Sequence, residues 1–235
     1  MLNILNRAVK HTKQGISNAS SIALLQLLVK NMERIRIILA SISPRRQEML
    51  QELGIPHELY TPDVTEEWEP ESDPSFVARD LAVRKAKSCP DNEAMVIAMD
   101  TLVAFRKKKL GKPIDASEAR SMLRLLSGKT HRVITGVALR MGMRLVSDIE
   151  ITRVTFRKLS ETEIDWYIST GEPMGKAGAY GIQGKGRLFV DRINGCFYNV
   201  VGFPVSCFQR LLHQLDHDRL SFLLQDVSAD SRPSS

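Results

Sequence analysis

Hydrophobic and polar positions along the chain follow two periods, which predict strands and helices in an interleaved order. Short apolar runs predict strands at 34–40, 95–105, 133–141, 144–157, 187–193 and 196–201. Apolar positions three and four residues apart predict helices at 44–53, 74–88, 115–127, 160–170 and 204–217. Residues 60–74 are acidic and proline-rich, and we expect a loop there. Because strands and helices alternate and hairpins dominate the second half, the sequence predicts a mixed α/β fold.

Local signals define several ends of these elements. Ser160 and Glu163 stand three residues apart, the spacing of a capping box at a helix N-terminus. The pair Asn194-Gly195 favours a tight hairpin turn between two strands. Alternation in the longest predicted strand changes phase near Thr152, which predicts a β-bulge at that position.

Charge is distributed unevenly along the 235 residues. The chain has 33 Lys and Arg against 27 Asp and Glu, a formal net charge of +6. Residues 1–31 contain four of the basic residues and no acid, which leaves 29 against 27, or +2, for the remainder. A near-neutral main part and an aromatic content of 6% argue against a nucleic-acid-binding module.

This composition divides the chain into an N-terminal extension (1–31), one globular domain (32–217) and a C-terminal tail (218–235). The extension has the composition of a transit peptide, but a disordered segment, or an upstream start codon with Met32 as the real beginning, is favoured over targeting. We expect a cytoplasmic protein, or a mitochondrial one if the extension is a transit peptide. The apolar stretch 22–29 is far too short to span a membrane.

The first candidate for chemistry is the segment from Ser41 to Arg46 (SISPRR), which joins a predicted strand to a predicted helix. Cations in the first turn of a helix oppose its dipole, at a cost of about 0.3–1 kcal/mol each. A helix N-terminus binds anions, and the guanidinium group matches phosphate oxygens. Two interpretations stay open: Arg45 and Arg46 contact a phosphate, or both are solvated at the surface.

A lone carboxylate interrupts the apolar run 95–105. Asp100 is costly to bury there unless it meets a metal, a cation or the exposed end of the strand. Carboxylates in such places hold Mg²⁺ or activate water, which favours a functional role. The alternative is a strand-end turn in which Asp100 and Thr101 bond to the backbone.

Other charged positions carry weaker signals. Lys85 continues the apolar row of its predicted helix, and Lys112 is stiffened by the adjacent Pro113. Glu66 lies in the acidic loop. Since most surface lysines and loop carboxylates are simply solvated, none of these positions identifies a site by itself.

A glycine-rich segment, residues 175–186 (GKAGAYGIQGKG), holds five of the 14 glycines of the chain. This density predicts positive φ angles and a close approach of the backbone to a flat or anionic group. A mobile linker is the alternative, but the embedded Tyr180 and Ile182 argue against it. Gln183 is suited to a base edge or a carbonyl, because its amide both donates and accepts hydrogen bonds.

Together these segments resemble the Maf family of nucleoside triphosphate pyrophosphatases. The matching motifs are LASISPRRQEML (39–50), MDTLV (99–103), GKP (111–113), LSGKTH (126–131), EPMGKAGAYGIQG (172–184) and NVVGFP (199–204). They occur in order across roughly 36–216. The resemblance does not extend to the first 31 residues or to the tail.

The resemblance implies an elongated mixed β-sheet flanked by helices, with two lobes and a central cleft, similar to the inosine-triphosphatase group. It implies hydrolysis of a nucleoside triphosphate to the monophosphate and pyrophosphate, with Mg²⁺ or Mn²⁺ as cofactor. A homodimer is expected on the same ground. Asp100 matches the catalytic proton acceptor, and Glu66 together with Asp100 matches the metal site. The basic triphosphate contacts of the family match Arg45, Arg46, Lys85 and Lys112.

Three positions further resemble the subgroup that acts on dTTP and UTP rather than the 7-methyl-GTP subgroup. These are Arg45, Thr101 and Gln183. The expected role is cleansing of the nucleotide pool, with a possible link to cell-division arrest. A regulatory protein that binds nucleotides without catalysis is the alternative, although it would not need Asp100.

Overall fold

The computed structural model describes residues 35–69 and 71–215. The predicted extension (1–31) and tail (218–235) lie outside this part of the chain. The described residues form a mixed sheet of seven strands in the order β2-β1-β3-β5-β6-β7, with β4 paired to β3. The strands are β1 Ile37–Ala40, β2 Glu58–Tyr60, β3 Met95–Phe105, β4 Lys108–Leu110, β5 Thr130–Met141, β6 Arg144–Phe156 and β7 Val190–Asn194.

Strand β1 pairs in parallel with β2 and β3, whereas all pairings from β3 onward to β4, β5, β6 and β7 are antiparallel. Helices flank the sheet: α1 Pro44–Glu52, α2 Pro74–Ser88, α3 Ala116–Leu126, α4 Glu161–Ser169, α5 Phe197–Val201 and α6 Val205–Leu215. Two 3₁₀ segments, Ala177–Ala179 and Lys185–Phe189, lie in and after the glycine-rich segment. The predicted mixed α/β fold, a sheet flanked by helices, is confirmed.

The helix caps follow the sequence signals closely. Ser160 and Glu163 form the capping box of α4 in both directions. Helix α2 begins after Asp73, whose carboxylate accepts hydrogen bonds from the amides of Ser75 and Phe76. These side chains satisfy amide groups that the first turn of a helix leaves without partners.

Three predictions in the second half of the chain are wrong. The expected strand 196–201 is helix α5, so Asn194-Gly195 turns from β7 into a helix and not into a hairpin. The expected strand 187–193 begins only at Val190, after a 3₁₀ segment. No bulge occurs near Thr152 in the pairing of β5 with β6, and the irregularity lies at Thr155/Phe156 against β7.

A buried amide attaches the helical segment 197–201 to the sheet. The Asn199 side chain is fully buried and donates to the carbonyl of Val133 and to the Thr152 hydroxyl, each at 3.0 Å. The backbone of Cys196 bonds to the same Thr152 hydroxyl through both its amide and its carbonyl, so side-chain contacts and not a strand ladder connect the segment to β6. The apolar residues that alternate along this stretch therefore lie on a single helical turn and not on a strand. The short edge strand β2, just before the stretch expected to be loop, was not predicted either.

Helix α2 packs across β3 and β5 at a position that only glycine fits. A Cβ atom on Gly136 of β5 would lie 2.1 Å from the carbonyl oxygen and 2.4 Å from the carbonyl carbon of Ala78 in α2. The φ angle of Gly136 is not in the left-handed region, so space and not backbone conformation selects glycine here. This close approach holds α2, and with it Lys85, against the sheet.

We therefore expect Gly136→Ala to lower the free energy of unfolding by about 1–3 kcal/mol or more, the range for overpacked cores. Urea denaturation measures this change. Gly111→Ala is the matched control, because a Cβ on Gly111 meets nothing closer than 3.6 Å, at Trp68. Equal stability of the two variants would contradict the packing argument.

Candidate active site

A cleft of about 370 Å³ lies beside the carboxyl end of β1, within the range of about 300–1,000 Å³ common for small-molecule sites. One wall is the β1–α1 connection from Ser41 to Arg46. Part of the glycine-rich segment forms another wall, the end of α5 lies against the two arginines, and β3 contributes Asp100 and Thr101 to the floor. The cleft therefore lies between elements that are distant in the sequence.

All eight predicted site residues line this cleft. They are Arg45, Arg46, Glu66, Lys85, Asp100, Thr101, Lys112 and Gln183. With Lys176, five cations face two carboxylates, a formal surplus of three positive charges. A neighbouring cavity of about 400 Å³ shares Glu66, Asp100, Thr101 and Lys112 but neither arginine, so the first cleft is the candidate active site. Its charge suits a small polyanion.

Arg46 is buried under the cleft and its donors are nearly all used within the protein. Its Nε donates to the carbonyl of Gly202 at 3.0 Å, and Nη1 donates to Ser41 Oγ at 3.1 Å and to the carbonyl of Met99 at 2.8 Å. Nη2 donates to Thr101 Oγ1 at 3.0 Å. Four of the five guanidinium N–H groups are thus engaged, so Arg46 joins three chain segments and has one donor left for a ligand.

Burial lowers the pKa of the Arg46 guanidinium to about 10, against the opposing effect of the Asp100 charge. The group therefore stays protonated at neutral pH. Thr101, which the resemblance associates with substrate choice, also bonds to the Thr135 hydroxyl at 3.0 Å. Thr101 thus helps to hold Arg46 in place.

Arg45 differs sharply from its neighbour. Its Nε donates weakly to the carbonyl of Val201 at 3.3 Å, and its other guanidinium donors have no hydrogen-bond partner among residues 35–69 and 71–215. Burial lowers the pKa of Arg45 and also that of Lys176 on the wall formed by the glycine-rich segment, where the charge of Arg45 contributes. Arg45 and Lys176 therefore offer positive charge to a ligand in the cleft.

Lys85 joins two carboxylates at the floor of the cleft. Its Nζ lies 2.5 Å from Asp100 Oδ1 and 2.5 Å from Glu66 Oε1, and the Lys85 side chain is only 8% exposed. Lys112 Nζ approaches the second oxygen of Glu66 at 3.5 Å. Burial alone would raise the pKa of Glu66, but the bonds and charges of Lys85 and Lys112 outweigh it and lower that pKa. The predicted lysines and carboxylates thus form one connected cluster.

The donor set suits a hard divalent cation completed by substrate. Mg²⁺ is commonly held by one or two carboxylates together with substrate phosphates and water. Glu66 and Asp100 supply two carboxylates that converge on one point, which Lys85 Nζ occupies here. Within the described part of the chain, no three His, Cys, Asp or Glu side chains converge as a closed metal site. These residues therefore match a metal that arrives with a phosphate ligand.

The glycine-rich segment places the exposed Gln183 on the wall of the cleft. Gly175 and Gly178 have the expected positive φ angles, +72° and +67°. The other three glycines of the segment do not have positive φ angles. At these positions a Cβ atom would instead collide with neighbouring side chains of the same chain.

Two features of the cleft were not predicted. Lys176 belongs to the glycine-rich segment but was not predicted as a site residue, because its place in one cleft with Arg45 depends on folding over a long separation. Tyr180 also lines the cleft, and its hydroxyl is 2.9 Å from Nε2 of the buried His131. Burial lowers the pKa of His131 to about 4, so this ring is neutral at physiological pH. In the sequence, the sign of this buried contact is a histidine just before a predicted apolar strand.

Comparison with known proteins agrees with the motifs. The family model described as Maf-like protein matches residues 36–215. The chain belongs to the Maf family. A protein of Bacillus cereus (strain ZK / E33L) named dTTP/UTP pyrophosphatase is 47% identical over 185 residues, 78% of this chain and 97% of that protein. A Bacillus cytotoxicus protein of the same name is 48% identical over 183 residues, 77% and 96% of the two chains.

Among solved structures, a HAM1 protein from Coxiella burnetii overlaps with 79% of this chain and 100% of its own, at 14% identity and a TM-score of 0.43. No conclusion rests on so loose a likeness. No helix within the described ranges is both long and apolar enough to cross a membrane.

The different environments of the two Maf-motif arginines predict different effects of the same substitution. Arg46→Lys should lower the free energy of unfolding by on the order of 3 kcal/mol, since an ammonium cannot reproduce four planar contacts and leaves buried acceptors unpaired. Arg45→Lys should change it by less than about 1 kcal/mol, because Arg45 has one long bond to lose. Urea denaturation compares the two variants. Similar losses in both would contradict this assignment.

Proposed function

We propose that this Maf-family protein is an enzyme that hydrolyses dTTP and UTP, and modified pyrimidine triphosphates of the same shape, to the monophosphate and pyrophosphate. The names of its relatives at 47% and 48% identity support this substrate class. The observation that carries the proposal is the cluster in which Lys85 meets both Asp100 and Glu66 inside a cleft with a surplus of three positive charges. Such a cleft suits a triphosphate.

Hydrolysis at the α-phosphate forms a bond from water oxygen to phosphorus and breaks the bond to the oxygen that bridges the α and β phosphates. The water proton passes to a base, and negative charge moves onto the departing pyrophosphate. Asp100 is the proposed proton acceptor, since its carboxylate is held at the cleft floor by the Lys85 ammonium. Arg45, Lys112 and Lys176 would stabilise the developing charge.

Glu66 and Asp100 are the proposed ligands of a divalent cation, Mg²⁺ or Mn²⁺, with substrate phosphates completing the coordination. Such a cation, when bound, would supply charge neutralisation and polarise the phosphate oxygens. Lys85 contacts both carboxylates and would fix their relative position.

On the other wall, Gln183 is proposed to contact the base. Cleansing of the nucleotide pool in the cytoplasm, with a possible link to cell-division arrest, and a homodimeric state remain proposals that follow from the resemblance alone.

The proposed function predicts a specific substrate ranking. Purified protein with Mg²⁺ should release pyrophosphate from dTTP and UTP faster than from ATP, GTP or 7-methyl-GTP, and the nucleoside monophosphate should appear in equal amounts. Chromatographic separation of the nucleotides measures both products. A purine triphosphate that turns over fastest would contradict the substrate assignment, and release of phosphate instead of pyrophosphate would contradict the reaction.

The role of Asp100 is tested by Asp100→Asn, which keeps the shape of the side chain but removes the base. Turnover should fall by a factor of about 10²–10⁴, the usual contribution of a general base. Binding of a non-hydrolysable α,β-imido analogue of dTTP, measured without a divalent cation, should stay within about threefold, because Asp100 is proposed to act on the nucleotide only through water and the cation. Asp148→Asn is the control, since Asp148 is a half-buried residue of β6 outside the cleft and pairs with Arg210. An active Asp100→Asn enzyme would place the base elsewhere, and loss of binding would favour a purely binding role.

A further inference from the structure

Glu172, which follows α4, holds the glycine-rich segment through its carboxylate. The backbone amide of Lys185 donates to Glu172 Oε2 at 2.8 Å, and the amide of Gly186 donates to Oε1 at 3.1 Å. The backbone carbonyl of Glu172 also accepts a bond from Lys176 Nζ at 2.6 Å. One residue thus fixes the far end of the segment and one of its cleft-lining cations.

Tyr167 extends the same contact to the middle of the segment, at Gly181. Its hydroxyl donates to Glu172 Oε1 at 3.0 Å and accepts a bond from the amide of Gly181 at 3.1 Å. The Tyr167 ring is fully buried, so the hydroxyl position is fixed by packing. The carboxylate is therefore linked to residues 181, 185 and 186, which bracket Gln183 on both sides.

The glycines of the segment make this approach possible. A Cβ atom on Gly184 would lie 2.2 Å from Glu172 Oε1. A Cβ atom on Gly186 would lie 2.8 Å from the Tyr167 hydroxyl and 2.8 Å from the carbonyl of Gly181. Neither glycine has a positive φ angle. The anionic group that the backbone approaches is thus the carboxylate of Glu172 in the same chain.

We propose that Glu172 is a positioning residue for nucleotide recognition, which acts by holding residues 181–186 so that Gln183 faces the cleft in a single arrangement. This inference rests on the proposed function, because it takes Gln183 to contact the base. Gln183 itself is exposed and lies on the cleft wall. Its position is therefore set by the backbone on either side of it, and that backbone is set by Glu172 and Tyr167.

Glu172→Gln is the direct test. A glutamine keeps one acceptor oxygen but presents an NH₂ group to one of the two amides, so the segment loses a charged hydrogen-bond partner. Affinity for the α,β-imido analogue of dTTP, measured by titration calorimetry, should fall by about tenfold. Glu161→Gln is the matched control, because Glu161 belongs to α4 and pairs only at the surface, with Arg124. Its affinity should equal that of the wild type.

A double-mutant cycle separates positioning from general stability. If Glu172 acts through Gln183, the double variant Glu172→Gln with Gln183→Ala should bind no more weakly than Gln183→Ala alone. A purely structural role would instead make the two losses multiply, and this result would overturn the proposal. Unchanged affinity in Glu172→Gln would overturn it as well.

If Glu172→Gln does not fold, Tyr167→Phe can replace it in the double-mutant cycle with Gln183→Ala. It removes only the hydroxyl and keeps the buried ring, and its loss of affinity should likewise vanish in the Gln183→Ala background. Failure of the underlying function has a different signature: the wild type would then neither bind the analogue nor release pyrophosphate from dTTP. A wild type that binds and hydrolyses dTTP, with multiplying losses in the cycle, would overturn the positioning role alone.

Discussion

The site depends on a guanidinium group buried beneath the cleft. Burial of a charge is costly unless hydrogen bonds replace the lost water, and Arg46 meets this requirement through four bonds to three separate segments. These segments are the β1–α1 connection, strand β3 and the turn that follows α5. Because each of them contributes residues to the cleft, the same bonds that satisfy Arg46 also bring the walls and the floor together. Arg46 thus fixes the part of the site in which these three segments meet.

The remaining charges of the cleft fall into two classes. Lys85 and Lys112 meet carboxylates within the protein and so have partners before any ligand binds. Arg45 makes only one long bond and lines the cleft together with Lys176, whose pKa is lowered by burial and further by the charge of Arg45. The cations paired with carboxylates lie near the proposed base Asp100, whereas Arg45 and Lys176 bond only to backbone carbonyls and keep their charge uncompensated. The candidate site thus combines a proposed reaction centre, in which two lysines offset the charge of two carboxylates, with a positively charged wall that attracts anions.

Prediction from the sequence was correct for elements whose local signals and burial agree. It was wrong where contacts with distant residues accompany a different secondary structure. The long strand β3 and the capping box of α4 were predicted correctly, since hydrophobic period and cap chemistry are local properties. Helix α5 was predicted as a strand because the bonds of Asn199 reach residues far away in the chain. The predicted site residues do converge on one cleft, but their roles stay predictions. That Arg46 is saturated while Arg45 is not follows from partners that no local pattern reveals.

The glycine-rich segment also shows that the sequence does not identify the chemical group that a glycine approaches. Its composition indicated a backbone that approaches an anion, which suggested the ligand, but at Gly184 the anion is the carboxylate of Glu172. A glycine that avoids a side chain of its own protein and one that admits a phosphate are identical in sequence. The two cases affect ligand binding differently, because an internal carboxylate fixes the loop before the ligand binds. A recognition loop held in this way loses less conformational entropy on binding, which favours affinity for a ligand that matches it.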